Sequence, residues 1–240
     1  MRWSKPLVQA RLVRRYKRFL ADAELTSGET VTAHCANPGA MTGLAEPGSE
    51  IWLAPAASPK RRLDWSWELV RVAPGPRGLV GINTSRPNLL VEEAIAGGHL
   101  EPLTGYDHRQ REVRYGRNSR IDFLLSNDDR PPCYVEVKNV HLRRDGVGGM
   151  GLAEFPDSVT ARGAKHLDEL ADVARAGGRA VMLYVIQRAD CGQFALATDI
   201  DPTYSAAFTA ARRAGVEAYA WACKINLKEV RMDGPIALAL

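Results

Sequence analysis

Asp122, Glu136 and Lys138 are the residues of this chain whose types and spacing most directly suggest chemistry. They stand in two apolar runs, Arg120-Ile-Asp-Phe-Leu-Leu and Cys133-Tyr-Val-Glu-Val-Lys-Asn, separated by Ser126-Asn-Asp-Asp-Arg-Pro-Pro. Both runs read as short strands and the polar break as a hairpin loop. A hairpin symmetric about Asp129 sets Asp122 opposite Glu136, with Cβ atoms about 5 Å apart. Glu136 and Lys138 are two positions apart and share one strand face, about 7 Å apart. Two carboxylates held this close repel unless something positive lies between them. A divalent cation serves, and oxygen donors select Mg2+ or Mn2+ over a soft metal. Such an ion acidifies water and screens charge on a phosphoryl group. Lys138 would position or activate the attacking water, or steady the transition state. A surface hairpin with an ordinary Glu–Lys pair would carry the same residues.

These side chains need a scaffold. Asn88 to Ala96 reads as a helix, capped by Asn88 and stopped by Gly97-Gly98. It offers an acid to complete the site: Glu93 first, Glu92 second, since neighbours on a helix point about 100° apart. A strand over Arg111–Gly116 precedes the hairpin. Asp145-Gly-Val-Gly-Gly-Met-Gly lacks the Lys-Ser/Thr end of a phosphate-binding loop and reads as a mobile loop. A helix opens at Pro156, with Asp157 or Ser158 as cap, and ends at Gly177-Gly178. Val159, Gly163, Leu167, Leu170 and Ala174 form its apolar face. Arg162, Lys165 and His166 lie on an adjoining face with Glu169, suited either to hold a nucleic-acid backbone or to form a solvated face with a Lys165–Glu169 pair. His166 could also carry a proton. Arg179–Ile186 is apolar enough to be a strand buried on both sides. A helix over Pro202–Ala214 and a strand over Val216–Cys223 follow. The order α-β-β-β-α-β-α-β implies a mixed sheet flanked by helices.

The first third reads as all-β. Leu7–Val13, Lys17–Leu25, Thr30–Cys35, Glu50–Ala54 and Trp67–Val72 are strand-length, with Ser27-Gly28 as a hairpin turn and breakers at Asn37–Leu44, Glu46–Gly48 and Pro55–Pro59. Leu79–Asn83 is either a sixth strand or a linker. Five short strands with Gly/Pro loops suit a small closed barrel of the OB type, and an SH3-like barrel would read similarly. Residues 1–84 carry twelve Lys/Arg against seven Asp/Glu, while residues 85–240 carry twenty against twenty-one. The excess favours a polyanion contact in the first third. Arg11, Arg14, Arg15, Lys17 and Arg18 surround Tyr16 and Phe19, and Lys60-Arg61-Arg62 lies near Trp65 and Trp67. Cations track phosphates and aromatics stack on bases, although Tyr16 and especially Phe19 also suit the barrel core. No apolar run is long enough to span a bilayer and no signal-peptide core opens the chain, so a cytoplasmic location is expected. Cys35, Cys133, Cys191 and Cys223 lack metal-ligand spacing and read as reduced apolar side chains.

The Asp…Glu-x-Lys spacing and the surrounding element order resemble the PD-(D/E)XK nuclease superfamily, with Ile121 where the motif's name has proline. A closer resemblance covers nearly the whole chain. Arg14-Arg-Tyr-Lys-Arg-Phe-Leu-Ala-Asp, Asn37-Pro-Gly-Ala-Met-Thr-Gly, Ser119-Arg-Ile-Asp, Cys133-Tyr-Val-Glu-Val-Lys-Asn-Val and Phe155-Pro-Asp-Ser-Val-Thr-Ala-Arg-Gly-Ala-Lys-His-Leu are similar to segments of the bacterial sugar fermentation stimulation protein A family. That resemblance implies an α/β chain (α+β overall): an OB-like five-stranded barrel over residues 1–84, then a mixed-sheet PD-(D/E)XK nuclease-like domain over 85–240. It also implies non-specific DNA binding and a regulatory part in sugar (maltose) metabolism, and it favours Glu93 as the helix acid. Three functions follow as expectations. The first is a Mg2+- or Mn2+-dependent nuclease acting on DNA, or alternatively RNA. The second is a DNA-binding regulatory protein that keeps the nuclease scaffold without cutting. The third is a protein-interaction scaffold. Monomer and homodimer stay open.

Overall fold

The computed structural model describes residues 1–56, 60–73, 78–146 and 150–239. In the first third, strands β1 (Val8–Tyr16), β2 (Leu20–Leu25), β3 (Thr30–His34), β4 (Glu50–Pro55) and β5 (Trp65–Arg71) form one sheet. Antiparallel pairing joins β3 to β2, β2 to β1, β1 to β4 and β4 to β5, and a short parallel contact of β3 with β5 closes the circuit. This closed five-stranded barrel is OB-like. Leu12, Ile51, Leu53, Trp67 and Ile82 fill its interior. Gly28, at a φ of 86°, takes the left-handed turn between β2 and β3. β6 (Leu79–Gly81) is a true sixth strand, antiparallel to β5.

The remainder runs α1 (Arg86–Ala96), a 3-10 turn at Glu101–Leu103, β7 (His108–Tyr115), β8 (Ser119–Ser126), β9 (Cys133–Val140), β10 (Leu142–Arg144), β11 (Gly151–Phe155), α2 (Ala161–Arg175), β12 (Arg179–Ile186), β13 (Cys191–Leu196), α3 (Pro202–Arg213), β14 (Glu217–Ile225) and β15 (Val230–Leu238). They build a nine-stranded mixed sheet in the order β10-β11-β13-β15-β14-β12-β9-β8-β7. Central β12 lies parallel to both β9 and β14. Its Val181, Leu183 and Val185 join a core shared with α1 and with Trp52, Leu69 and Leu79 of the first third. Its Met182, Tyr184 and Ile186 join a second core under α2 and α3. The strand is therefore buried on both faces, as its composition implies.

Several boundaries differ from the sequence expectation. α1 begins at Arg86 with Pro87 as its second residue, so Ser85 takes the cap position and Asn88 lies inside the first turn. α2 starts later than expected. Thr160 is its cap, its hydroxyl accepting from Gly163 N at 3.1 Å, and neither Asp157 nor Ser158 caps it. Val159 accordingly precedes the helix and is 75% exposed rather than part of the apolar face. The expected mobile loop at Asp145–Gly151 falls partly on residues 147–149, and the breaker Pro55–Pro59 partly on 57–59, outside the described residues. Strands β10, β11, β13 and β15 were not foreseen. β15 contains Gly234-Pro235, which argues against a strand. It is accommodated because the β14 register shifts between Ala222 and Cys223, and because β13 pairs only with Ala237 and Leu238 beyond the proline.

One buried carboxylate ties two helix starts together. Asp201 Oδ1 accepts from Tyr204 N at 2.9 Å as the α3 cap, and Oδ2 accepts from Thr160 N at 2.8 Å just before α2. Asp201→Ala removes both acceptors from a site closed to water. Denaturant unfolding should show a loss of about 2–3 kcal/mol, and a loss below about 0.5 kcal/mol would contradict this reading.

Among the described residues no helix is long and apolar enough to cross a membrane. All four cysteines are free and buried.

Candidate metal centre and nucleic-acid interface

The hairpin of β8 and β9 pairs Phe123 with Val135, Leu124 with Tyr134 and Leu125 with Cys133. Continued one step beyond its last pair, this register, centred on Asp129, sets Asp122 across from Glu136, and Val137 N donates to the Asp122 side chain. Phe123, Leu125, Val135 and Val137 point into the core under α1. Alternation therefore sends Glu136 and Lys138 to the opposite face, over which α2 lies, whereas Asp122 stands where β8 changes face, between Ile121 of the α2-side core and Phe123 of the α1-side core, and is reached from α1 by Asn88. Glu136 and Lys138 sit beside Met182 and Tyr184 of β12.

Glu136 is almost wholly buried. Its Oε1 accepts from Lys138 Nζ at 2.8 Å and also bonds His166 Nδ1. Arg162 Nε donates to His166 Nε2 at 3.3 Å, which assigns the imidazole proton to Nδ1, facing Glu136. The other oxygen of Glu136, Oε2, is buried with no partner among the described residues. Burial alone would raise the Glu136 carboxyl, but the His166 hydrogen bond and the Lys138 charge outweigh it and hold it below the ordinary carboxylate value.

Asp122 is held on both sides. Asn88 Nδ2 donates to its Oδ1 and Val137 N donates to its Oδ2, each at 2.7 Å. Burial and, next, the Glu136 charge still push its carboxyl up to about 6. The folded value lies above the ordinary 3.8, so the folded state binds this proton more tightly than the unfolded state. The resulting stabilisation is complete below about pH 4 and is lost as pH rises through about 6. In EDTA, wild type should gain stability relative to Asp122→Ala, on the order of 1–3 kcal/mol, between pH 7 and pH 4.5. Urea unfolding across that range checks it, and a difference independent of pH would contradict it.

An orphaned buried carboxylate oxygen beside a second, electrostatically crowded carboxylate suits an oxygen-seeking divalent cation. Asp122 and Glu136 are the residues that fit. The expected third acid does not join them. Glu93 is 61% exposed and pairs with the Met1 amino group. It lines a cleft of about 310 Å3 with Leu90, His99 and Arg231. The helix period sets it about 140° from Asn88, the α1 residue that does reach Asp122. Glu92 is tied to Arg111 of β7 at 2.8 Å. No group of three or more His, Cys, Asp or Glu suited to a metal occurs among the described residues.

Two further groups lie near the carboxylates: Glu169, expected beside Lys165 on α2, and Tyr115, which no sequence signal marks. Glu169 is buried, accepting from Arg117 N at 3.2 Å at the tip of the β7–β8 hairpin, with Lys165 Nζ 3.6 Å away. The Tyr115 hydroxyl is buried without a partner among the described residues, and its pKa is raised by burial and by the charges of Glu136, Glu169 and Asp122. Arg162 and Lys165 stay exposed on α2, next to the site.

The expected basic cluster on the barrel divides in two. Arg14 Nε donates to Asp22 Oδ2 at 2.8 Å and its guanidinium lies over the Tyr16 ring at 4.7 Å. The Tyr16 hydroxyl also donates to Asp22. Arg15 donates to the carbonyls of Asn37 and Gly39, and Arg11 to that of Gly48. These side chains hold the barrel's own acceptors. Lys17, Arg18, Lys60, Arg61 and Arg62 are exposed.

The comparisons with known proteins agree across both parts of the chain. Residues 13–82 match the SfsA N-terminal OB domain, and residues 85–229 match the sugar fermentation stimulation protein RE domain. The sugar fermentation stimulation protein homolog of Paramagnetospirillum magneticum is 52% identical, over 100% of this chain and 98% of its own. That of Azorhizobium caulinodans is 55% identical over 99% of both. The solved structure of Pyrococcus furiosus SfsA in complex with Ca2+ superimposes with a TM-score of 0.88 at 25% identity, covering 100% of this chain and 98% of that one. The chain belongs to the sugar fermentation stimulation protein (SfsA) family.

Proposed function

We propose that this chain is a cytoplasmic, non-specific DNA-binding protein with a divalent-cation-dependent phosphodiesterase site at Asp122, Glu136 and Lys138. The observation that carries the proposal is the buried, unpartnered Glu136 Oε2 across the hairpin from Asp122. Asp122 and Glu136, with the Val137 carbonyl, would hold Mg2+ or Mn2+, which supplies acidified water and a screen for phosphoryl charge. That a relative was solved with Ca2+, another oxygen-seeking cation, supports a cation on this scaffold. Lys138 keeps its ammonium at the site through Glu136 Oε1, where it can meet a phosphoryl oxygen or orient the attacking water. His166 fixes Glu136 from the α2 side, and Arg162 in turn holds His166 while its exposed guanidinium offers a phosphate contact.

Purified protein with Mg2+ or Mn2+ is expected to nick plasmid DNA or cut oligonucleotides, and EDTA should stop it. Failure to cut duplex, single-stranded or branched DNA, or RNA, while still binding DNA, would favour a second reading: a non-cleaving regulatory protein on a nuclease scaffold. One observation favours that reading. Lys138 and His166 both bond Glu136 Oε1, and the expected third acid, Glu93, is drawn to the Met1 amino group instead.

A further inference from the structure

Phe19 departs from the expectation that it belongs to the barrel core. It is 46% exposed. It closes the β1–β2 hairpin, whose three tip residues Lys17, Arg18 and Phe19 lie between the paired Tyr16 and Leu20. Lys17 and Arg18 both adopt left-handed backbone, at φ values of 47° and 62°. A glycine would take either position at less cost, yet both carry long cationic side chains. The Phe19 ring stacks on the His34 ring of β3, with centroids 6.4 Å apart and planes 22° apart. His34 pairs across the closing contact with Ser66 of β5, and the Ser66 hydroxyl accepts from Arg61 at 2.8 Å. Burial and the nearby Arg61 charge hold the His34 imidazole below its ordinary value, leaving a neutral ring near pH 7.

The barrel thus presents two aromatic rings, nearly parallel, with exposed Lys17 and Arg18 next to Phe19 at the hairpin tip and exposed Arg61 near His34, followed in sequence by exposed Arg62. None of the four cations forms an ion pair with an acid among the described residues. Duplex DNA keeps its base faces stacked inside, so an exposed ring gains little from it. An unpaired strand offers both a base face and flanking phosphates. We infer that the Phe19–His34 pair is a stacking platform for an unpaired nucleobase of a single-stranded segment, whose phosphates are held by Lys17, Arg18, Arg61 and Arg62. This inference rests on the nucleic-acid-binding reading above and adds a preference for single strands to it. On this basis the barrel captures an unwound or frayed segment, apart from the carboxylate site.

The test uses the full chain in EDTA, with fluorescence anisotropy of a labelled oligo-dT and of a labelled duplex of equal length. Phe19→Ala should weaken oligo-dT binding about 5- to 100-fold while duplex binding changes less than about twofold. The slope of log K against log salt should stay unchanged. Phe19→Tyr should restore binding and Phe19→Leu should not, which separates stacking from apolar bulk. Arg18→Ala should weaken both ligands and reduce the salt slope by roughly one phosphate contact. An unchanged oligo-dT affinity in Phe19→Ala, with Arg18→Ala still weakened, would overturn the platform and leave nucleic-acid binding standing. Equal losses for oligo-dT and duplex would also overturn it. No binding of either ligand by wild type would sink both readings together.

Discussion

Lys138→Ala is expected to lower Mn2+-dependent cleavage about 10²- to 10⁴-fold, and Asp122→Ala to lower it to background, with DNA affinity in EDTA unchanged within about twofold. The two losses have different causes, and cation dependence separates them. Asp122→Ala removes one of two carboxylates and leaves Glu136 Oε2, which has no partner among the described residues, as the remaining donor. It should therefore raise the Mn2+ concentration needed for whatever activity remains. Lys138→Ala keeps both carboxylates and removes the ammonium bonded to Glu136 Oε1 at 2.8 Å. The Mn2+ requirement should change little while turnover falls. Lys138→Arg should not rescue, because a planar fork replaces a compact point charge in a site where the lysine side chain is mostly buried. His166→Ala should cost less than either, since Lys138 still binds Glu136. Time courses across a Mn2+ titration read all four variants. Wild-type activity in both Asp122→Ala and Lys138→Ala would remove this site from the reaction.

The site was legible because strand alternation is a short-range rule. The register of β8 with β9 follows from the spacing of two apolar runs about one loop, and the structure pairs them about Asp129 as that spacing implies. The double burial of β12 was equally legible in eight nearly uninterrupted apolar residues. What failed depended on contacts distant in sequence. Asn88 looked like a cap because Asn is a common one. Pro87, fit for a first turn, lets the helix start at Arg86 with Ser85 as cap, and that turn aims Asn88 at Asp122 and Glu93 away from it. Phe19 looked like core because it is apolar in an apolar strand, but a three-residue hairpin tip carries it outward. β15 was hidden because its Gly-Pro pair forbids an interior strand except where a neighbouring register shifts. Arg14, Arg15 and Tyr16 looked free because their acceptors, Asp22 and the carbonyls of Asn37 and Gly39, lie on other segments.

The largest stability loss is expected at the seam between barrel and sheet, from Arg86→Ala. Glu68 of β5 is fully enclosed, and Arg86 in the first turn of α1 binds both of its oxygens, at 2.6 and 2.9 Å. Asn83 Nδ2 donates to the same carboxylate at 3.0 and 3.1 Å. Removing Arg86 strands a buried negative charge, which typically costs about 3–5 kcal/mol. Arg86→Lys keeps the charge but loses the fork and should cost about 1–2 kcal/mol. The double change Glu68→Gln with Arg86→Met should cost less than Arg86→Ala alone, because no charge is left behind. Urea unfolding of the three variants tests this ordering, and a double variant worse than Arg86→Ala would refute it. The effect should also reach the carboxylates. Arg86 anchors the turn that carries Asn88, and Asn88 donates to Asp122 at 2.7 Å. Loosening that turn removes one of the two donors that hold Asp122 in register with Glu136. Arg86→Ala should therefore lower cleavage at temperatures well below its own melting point, although Arg86 touches neither carboxylate of the site. Full activity in that folded variant would show that Asp122 is positioned by Val137 N alone.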